Sequence, residues 1–425
     1  MITIFNESKF QDIIDSFTID KVELEQIAAA FRRDIVLGLE GDALSSFKML
    51  KSYLALPTRD EKGQFIALDF GGTNVRALLI ELLGDGKVHV VKKAAKQLVT
   101  ADYNYISANT TAESLFDFIA GLILEVAEEG KEYLLGHTFS FPSMQTDLNN
   151  ARLITWTKEF ATTGVEGEVV NELLKAALTR RGASNIKPVA VINDTVATLL
   201  AAAYKKDRTD IGSICGTGHN TAYLESYRGL AKPRMILNLE SGNFDKLFTN
   251  QYDKVIDGRS EKPGAQRLEK MVSGKYLGVL FYLAICDALG LEDKAIEFDG
   301  ADLSVILADQ SQNLNAVRTL MKDKMSIDLD QETGEWVKAA AEMVVIRSAR
   351  LVATSYIAII WHIDGDESMN EHTIAIDGSL FEKMPLYKES MQQAMYEIIG
   401  EDAKKISLIL ENSGSGVGAA IAAAI

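Results

Sequence analysis

Two stretches of this chain, Phe65–Ile80 (FIALDFGGTNVRALLI) and Asp210–Glu225 (DIGSICGTGHNTAYLE), are written to one plan. Each is an apolar run of strand character, a turn of glycine, threonine and asparagine, and a second apolar run. The copies lie too far apart for a solenoid repeat and suit a duplicated domain. Two related α/β halves facing each other leave a cleft between them, and with no low-complexity linker the halves are expected to interleave. Around both copies strands and helices alternate. EGEVVNELLKAALTRRG predicts a helix closed by Gly182, IKPVAVIND a buried strand, and TVATLLAAAYKK the helix after it. Such alternation indicates an α/β protein. The N-terminal segment reads as helical, with Asp20 as cap, Val22, Leu24, Ile27, Phe31, Ile35 and Leu39 at helical spacing, and Gly41 as terminator. LPTRDEKGQ reads as a surface linker into the first glycine-bearing hairpin.

Length and composition narrow the class. A chain of 425 residues suggests two or three domains, and 47% hydrophobic with 24% charged residues is the balance of a soluble protein with ample core. Cys215 and Cys286 are far apart and outside any CxxC spacing, which argues against a disulfide framework or a zinc site and fits a reducing cytoplasm. MITIFNESKFQDIIDSF shows no secretory leader, and the apolar stretch LVATSYIAIIWHI reads as too short to span a bilayer. A net charge of −16 disfavours binding to nucleic acid or an anionic membrane. An anionic ligand would need local donors and a metal to overcome that field.

The first turn, Gly71-Gly72-Thr73-Asn74, satisfies the needs of a plain β-hairpin. It also suits phosphate: glycines let backbone N–H groups approach phosphate oxygens, and Thr73 and Asn74 add donors. A hairpin alone leaves Asp69 unexplained, whereas a phosphate site uses it to hold Mg2+, directly or through water. The turn Gly216-Thr217-Gly218-His219-Asn220 offers the same chemistry. A third glycine segment, NSGSGVGAAIAAAI, matches GxGxxA at Gly414, Gly416 and Ala419, but no acid or βαβ completion follows. It is read instead as a loop opening a terminal helix that contacts a nucleotide. No GxxxxGK[ST] pattern occurs.

Asn193-Asp194 stands where a strand becomes a helix. Asp194 is either the helix cap or, at a strand C-terminus where α/β ligands bind, a candidate general base. Ser140, Thr157, Lys158, Asn238, Glu240 and Glu269 are each unexceptional turn, surface or helix residues taken singly. His89, His137, His219, His362 and His372 show no metal-ligand spacing, and His219 reads as an incidental loop residue.

In order along the chain, LDFGGTNVR, TFSFP, WTKEF, VINDTVATL, GTGHN, NLESGNFD, PGAQRLEKMVSGKYLG, AIDGSLF and GSGVGAA together resemble the hexokinase family, including glucokinase. The resemblance implies the actin-like ATPase (ribonuclease H-like) fold. It implies a small α/β domain of residues 64–192, a large one of residues 1–63 and 193–412, and a terminal loop and helix (413–425) packing toward the small domain. It further implies ATP-dependent phosphorylation of a hexose at the 6-hydroxyl, D-glucose first with mannose and fructose open, aided by Mg2+ and by closure of the cleft on the sugar.

By the same resemblance the sugar lies among Ser140, Thr157, Lys158, Asn193, Asp194, Asn238, Glu240 and Glu269. Asp194 matches the catalytic base, with Lys158 beside it offsetting substrate charge. Asp69, Gly71, Gly72, Thr73, Asn74 and Arg76 match the first phosphate segment, and Gly216, Thr217, Gly218 and Asn220 the second. Asp377, Gly378, Ser379, Gly414, Ser415 and Gly416 match the nucleotide-binding end. The expected partners are hexose and ATP alone, in the cytoplasm, with no nucleic acid or membrane and a homodimer left open. A catalytically silent sugar sensor on the same scaffold is the alternative; a polymerising actin-like ATPase would leave the sugar residues unexplained.

This sequence departs from the family pattern at several places. Glu159 stands where relatives often have glycine, Ser241 where an aromatic is common, and Asn412-Ser413 precede the last loop instead of an acid. The final helix reads as short and residues 298–335 as compact, so an inhibitory sugar-phosphate site is not expected. Nor is a mitochondrial anchor.

Overall fold

The computed structural model describes residues 7–225, 234–365, 368–412 and 414–425. Met1–Asn6, where the absence of a leader was read, and Ser413 of the Asn412-Ser413 pair lie outside it.

Two sheets organise the described chain. The smaller joins Lys87–Gln97, Asn74–Gly84, Lys62–Phe70, Tyr133–Phe139 and Ile186–Ile192 in that spatial order. The larger joins Leu50–Lys51, Met235–Asn238, His219–Glu225, Thr209–Cys215, His372–Asp377 and Ile406–Leu410. Setting Leu50–Lys51 aside and counting each sheet's strands in chain order, both run 3-2-1-4-5. In both, strands 1 to 3 are antiparallel and strands 1, 4 and 5 parallel. The two echoing stretches are therefore the same hairpin in two copies of one α/β unit, as the actin-like ATPase fold requires. The strand that carries Asp69 begins at Lys62, inside the stretch read as linker. Proline at position 188 is tolerated because its strand is at the sheet edge.

Local signals explain most helix ends. Asp20 accepts from the Glu23 N–H while the Glu23 side chain accepts from the Asp20 N–H, a capping box, and Gly41 closes the helix Lys21–Glu40 in a left-handed conformation (φ 75°). LVATSYIAIIWHI is the end of a single helix, Gln331–Asp364, of 34 residues. That helix is long and apolar enough to cross a membrane, which corrects the expectation from its apolar core alone, but 83% of its most apolar window is buried inside the protein. It is the spine of the large core. Arg347 on it forms a buried two-armed pair with Asp253 (2.9 and 2.7 Å).

Between the sheets, helix Asp194–Lys205 crosses the terminal helix Gly414–Ala424, which lies against the strands Lys62–Phe70 and Tyr133–Phe139. One cluster gathers Ala67 and Ile80 from the smaller sheet, Ala222 and Ile236 from the larger, Val196 and Leu200 from the first helix, and Val417 and Ile421 from the second. The crossing is close because it is made of small residues: a Cβ on Gly418 would fall on the Ala197 carbonyl, well inside van der Waals contact. The terminal helix sits as tightly on the strand Tyr133–Phe139, where a Cβ on Gly136 would fall on the Ala419 carbonyl.

Two predictions concern this framework. Gly418→Ala should destabilise the protein by about 1–3 kcal/mol, because the added methyl meets backbone that cannot move aside; urea unfolding measures it. His137, fully buried on Tyr133–Phe139, has its pKa lowered by burial from 6.5 to about 3. The unfolded chain thus binds this proton more tightly than the folded one, and stability is lost as pH falls from 6.5 toward 3. The urea midpoint should fall less steeply across that acid range in His137→Leu than in wild type.

Candidate active site

Asp69 is the penultimate residue of Lys62–Phe70, where the buried run Ile66–Leu68 reaches the cleft. Arg76 is its cross-strand neighbour, and Nη1 lies 3.6 Å from Asp69 Oδ2. Burial raises the Asp69 pKa, Arg76 opposes that, and the charge of Asp194 adds to it. Thr73, Asn74 and Arg76 are exposed at this turn, and nothing packs over Gly72. Gly71 is constrained, since a Cβ there would sit 3.0 Å from that of Ser140.

Asn193, not Asp194, caps the helix Asp194–Lys205. Asn193 Oδ1 accepts from the Thr195 N–H (2.9 Å) and hydroxyl (2.6 Å). Asp194 is the first helical residue, and of its two carboxylate oxygens only Oδ1 meets a donor among the described residues, the Thr195 N–H at 2.8 Å. The capping explanation for Asp194 is corrected by this: the neighbouring amide does that job and leaves the carboxylate facing the cleft groups.

Glu240 follows the strand Met235–Asn238 in a left-handed conformation (φ 54°), and its Oε1 accepts from the side-chain amides of Asn238 (2.8 Å) and Asn220 (3.0 Å). Glu269 Oε2 accepts from the backbone N–H of His219 (3.1 Å). Burial raises the pKa of both acids. Asn220 belongs by its backbone to the second glycine turn, but its side chain is committed to Glu240. Lys158 and Glu159 are both left-handed (φ 57° and 67°), an uncommon state for residues with side chains. Lys158 Nζ donates to the carbonyls of Gly71 (2.7 Å) and Ser140 (3.2 Å), tying WTKEF to the first turn. Thr157 beside it is half-buried, and Glu159 is exposed.

The second turn is built into its surroundings. Gly274 N–H donates to Gly216 O (2.8 Å) and Lys275 N–H to Thr217 O (3.2 Å). A Cβ on Gly216 would be 3.4 Å from Gly378 Cα, so Asp377-Gly378-Ser379 lies directly against it. The Asp377 pKa is pushed up to about 6 by burial, then by the charges of Asp194 and Glu411. On the other side stand Gly414, Ser415 and Gly416, which were expected in a loop but form the first turn of the terminal helix Gly414–Ala424. Ser415 O accepts from the Thr138 hydroxyl (2.7 Å), a Cβ on Gly414 would be 2.8 Å from Thr198 Oγ1, and one on Gly416 would be 3.0 Å from Leu78. Helix packing therefore accounts for the buried Gly414 and Gly416.

These groups form one electrostatic unit. The charge of Asp194 reaches Asp69, Glu240 and Asp377, and that of Lys158 reaches Asp69 and Glu269. The sequence reading missed two members. Glu411, buried and bound by Lys205 Nζ at 2.8 Å through both oxygens, shares its field with Asp377. An acid shortly before a glycine turn, as at Asp69 and Asp377, was the available signal. His219, read as incidental, is 3% exposed. No group of three or more His, Cys, Asp or Glu among the described residues is set to hold a metal. Mg2+ beside phosphates needs only one or two carboxylates, with phosphate and water oxygens completing its sphere, and a half-desolvated Asp69 in an excess of negative charge fits that role.

Comparison with known proteins adds the family. Models of the hexokinase family match residues 9–204 and 210–425. Hexokinase-1 of Schizosaccharomyces pombe is 33% identical over 99% of this chain and 91% of its own length. Hexokinase-7 of Oryza sativa subsp. japonica is 36% identical over 94% and 93%. A solved hexokinase structure superposes with a TM-score of 0.87 at 34% identity over 98% of both chains. A hexokinase from Schistosoma mansoni complexed with glucose gives 0.82 at 31% identity over 98% and 99%. With two family models spanning nearly all of it and relatives above 30% identity along its length, the chain belongs to the hexokinase family.

Proposed function

We propose that the hexose this hexokinase phosphorylates is D-glucose, at its 6-hydroxyl, with Asp194 as general base. Hexose phosphorylation with ATP as co-substrate follows from the family; the choice of sugar and the residue roles are our reading. The observation that carries it is the capping of the helix by Asn193, which leaves Asp194 Oδ2 without a donor among the described residues, amid the other polar groups of the cleft. A relative 31% identical has been solved with glucose, which supports the sugar.

Asn193, Asn238, Glu240 and Glu269, with Ser140, Thr157 and Lys158 from the opposite side, would accept from and donate to the hydroxyls of the sugar. A site built on such hydrogen bonds rejects an analogue lacking one hydroxyl by about 10⁴–10⁵. The 6-oxygen attacks the γ-phosphorus, its proton passes to Asp194, and ADP leaves with the β–γ bridging oxygen. Phosphoryl transfer asks chiefly for in-line positioning and charge stabilisation. The two glycine turns offer backbone donors, Arg76 a cation, and Asp377-Gly378-Ser379 with the first turn of the terminal helix the nucleotide end. Mg2+, held at Asp69 directly or through water, would supply neutralisation of phosphate charge. Domain closure on sugar, excluding water, is part of the same reading. So are cytoplasmic residence and a partner set of small molecules, supported by the free buried thiols of Cys215 and Cys286 and the net charge of −16.

Purified protein should form ADP and sugar 6-phosphate from glucose and Mg-ATP, and Asp194→Ala should lower turnover by at least about 10²-fold. Folded wild type that binds glucose but turns over no hexose would replace this reading with a silent sensor. A second prediction concerns Asp377. Its folded pKa, about 6, lies above the ordinary 3.8, so the folded state binds the proton more tightly and stability falls as pH rises through that interval. Asp377→Asn, which never ionises, should gain thermal stability over wild type at neutral pH and lose that advantage near pH 3.8.

A further inference from the structure

We infer that His219 is a positioning residue, whose buried imidazole staples the second glycine turn and so aims Glu269 at the sugar. The inference rests on Glu269 being a hexose ligand, as proposed above. The turn Gly216-Thr217-Gly218 joins two strands whose last pair is Cys215 and His219. Within it, one short backbone bond, Gly216 N–H to Gly218 O (3.1 Å), opposes the freedom of two glycines. The His219 ring adds a second restraint from beneath. Its Nδ1 lies 3.1 Å from the carbonyl of Ile214, on the far side of the turn. A carbonyl can only accept, so Nδ1 carries the proton and donates it. Nε2 then faces Ser241 Oγ at 3.4 Å, and Ser241 is itself fully buried, donating to Thr221 Oγ1 at 3.1 Å. Burial keeps the imidazole neutral, with its pKa lowered to about 4.

The consequence for the site runs through the backbone of the same residue. The His219 N–H is the only hydrogen-bond donor that the Glu269 carboxylate meets among the described residues. The turn also presses on this acid, since a Cβ on Gly218 would lie 3.1 Å from Glu269 Oε2. Glu240, in contrast, is held by two side-chain amides that do not depend on the ring. Loosening residue 219 should therefore free one sugar-side carboxylate and leave the other in place. Ser241 is small enough to leave room for this ring, and its hydroxyl gives Nε2 a polar neighbour.

The test compares wild type, His219→Leu and His219→Asn in the full chain, with glucose and each of its mono-deoxy analogues as variable substrate. His219→Leu removes the staple at similar volume and should raise the glucose KM by about 5- to 10-fold, the worth of about one hydrogen bond. The ATP KM should stay unchanged, and one deoxy analogue, lacking the hydroxyl Glu269 receives, should be affected less than glucose. His219→Asn keeps an N–H donor and should restore part of the loss. It also carries the comparison if His219→Leu does not fold. An unchanged glucose KM with altered stability would make His219 a mere core filler and overturn the inference, as would equal rises for glucose and ATP. Sugar affinity read from the fluorescence of Trp156, next to Thr157, gives the same comparison without turnover. Absence of phosphotransfer and failure of the His219 effect are thus read separately.

Discussion

The contact on which the rest depends is the crossing of helix Asp194–Lys205 with the terminal helix Gly414–Ala424. It brings backbone to backbone, with the Ala197 carbonyl standing where a side chain at position 418 would be, and the terminal helix is pressed as closely on the strand Tyr133–Phe139, where the Ala419 carbonyl takes the place of a side chain at position 136. Dispersion and the exclusion of water hold such a contact, and it tolerates no added atom. Both sheets are anchored to it, because their inner apolar residues share one cluster with the two helices. The position of Asp194, at the start of the first helix, and of the last glycine segment, at the start of the second, follow from the same crossing. The small residues that look like a nucleotide signature in the sequence are needed first for this packing.

Charge is the second constraint. A chain with a net charge of −16 nonetheless gathers Asp69, Asp194, Asp377 and Glu411 within reach of one another's fields. Burial first, and the neighbouring acids after it, raise the pKa values of Asp69 and Asp377, so holding these groups ionised costs stability. Lys205 on Glu411 and Arg76 near Asp69 offset it only in part. Charge crowding of this kind is expected where a dication and a nucleotide are to be received, and it has no structural benefit of its own.

Much of this was legible in the sequence, and the reasons are local. The echo of the two hairpins, the cap at Asp20, the terminator at Gly41 and the strand-to-helix step at Asn193-Asp194 are written in contiguous residues, and the structure reproduces them. What failed to show depends on partners distant in the chain. Either of two adjacent polar residues can cap a helix, and only the conformation assigns the task to Asn193. An apolar stretch does not announce how far its helix extends on the polar side, so Gln331–Asp364 is longer than its core suggests. The commitment of Asn220 to Glu240 and of the His219 ring to Ile214 arises from side-chain direction, which a motif does not encode.

Lys158 gives the cleft a property that its two halves do not have separately. Its ammonium rests on the carbonyls of Gly71 and Ser140, one from the turn that precedes the first phosphate donors and one from the loop that would meet the sugar. Any group that draws the ammonium away unfastens both loops at once. On the proposed assignment of these loops, a ligand reaching the sugar side would be felt at the phosphate side through a single side chain, and the order of binding would turn on which ligand first competes for one cation.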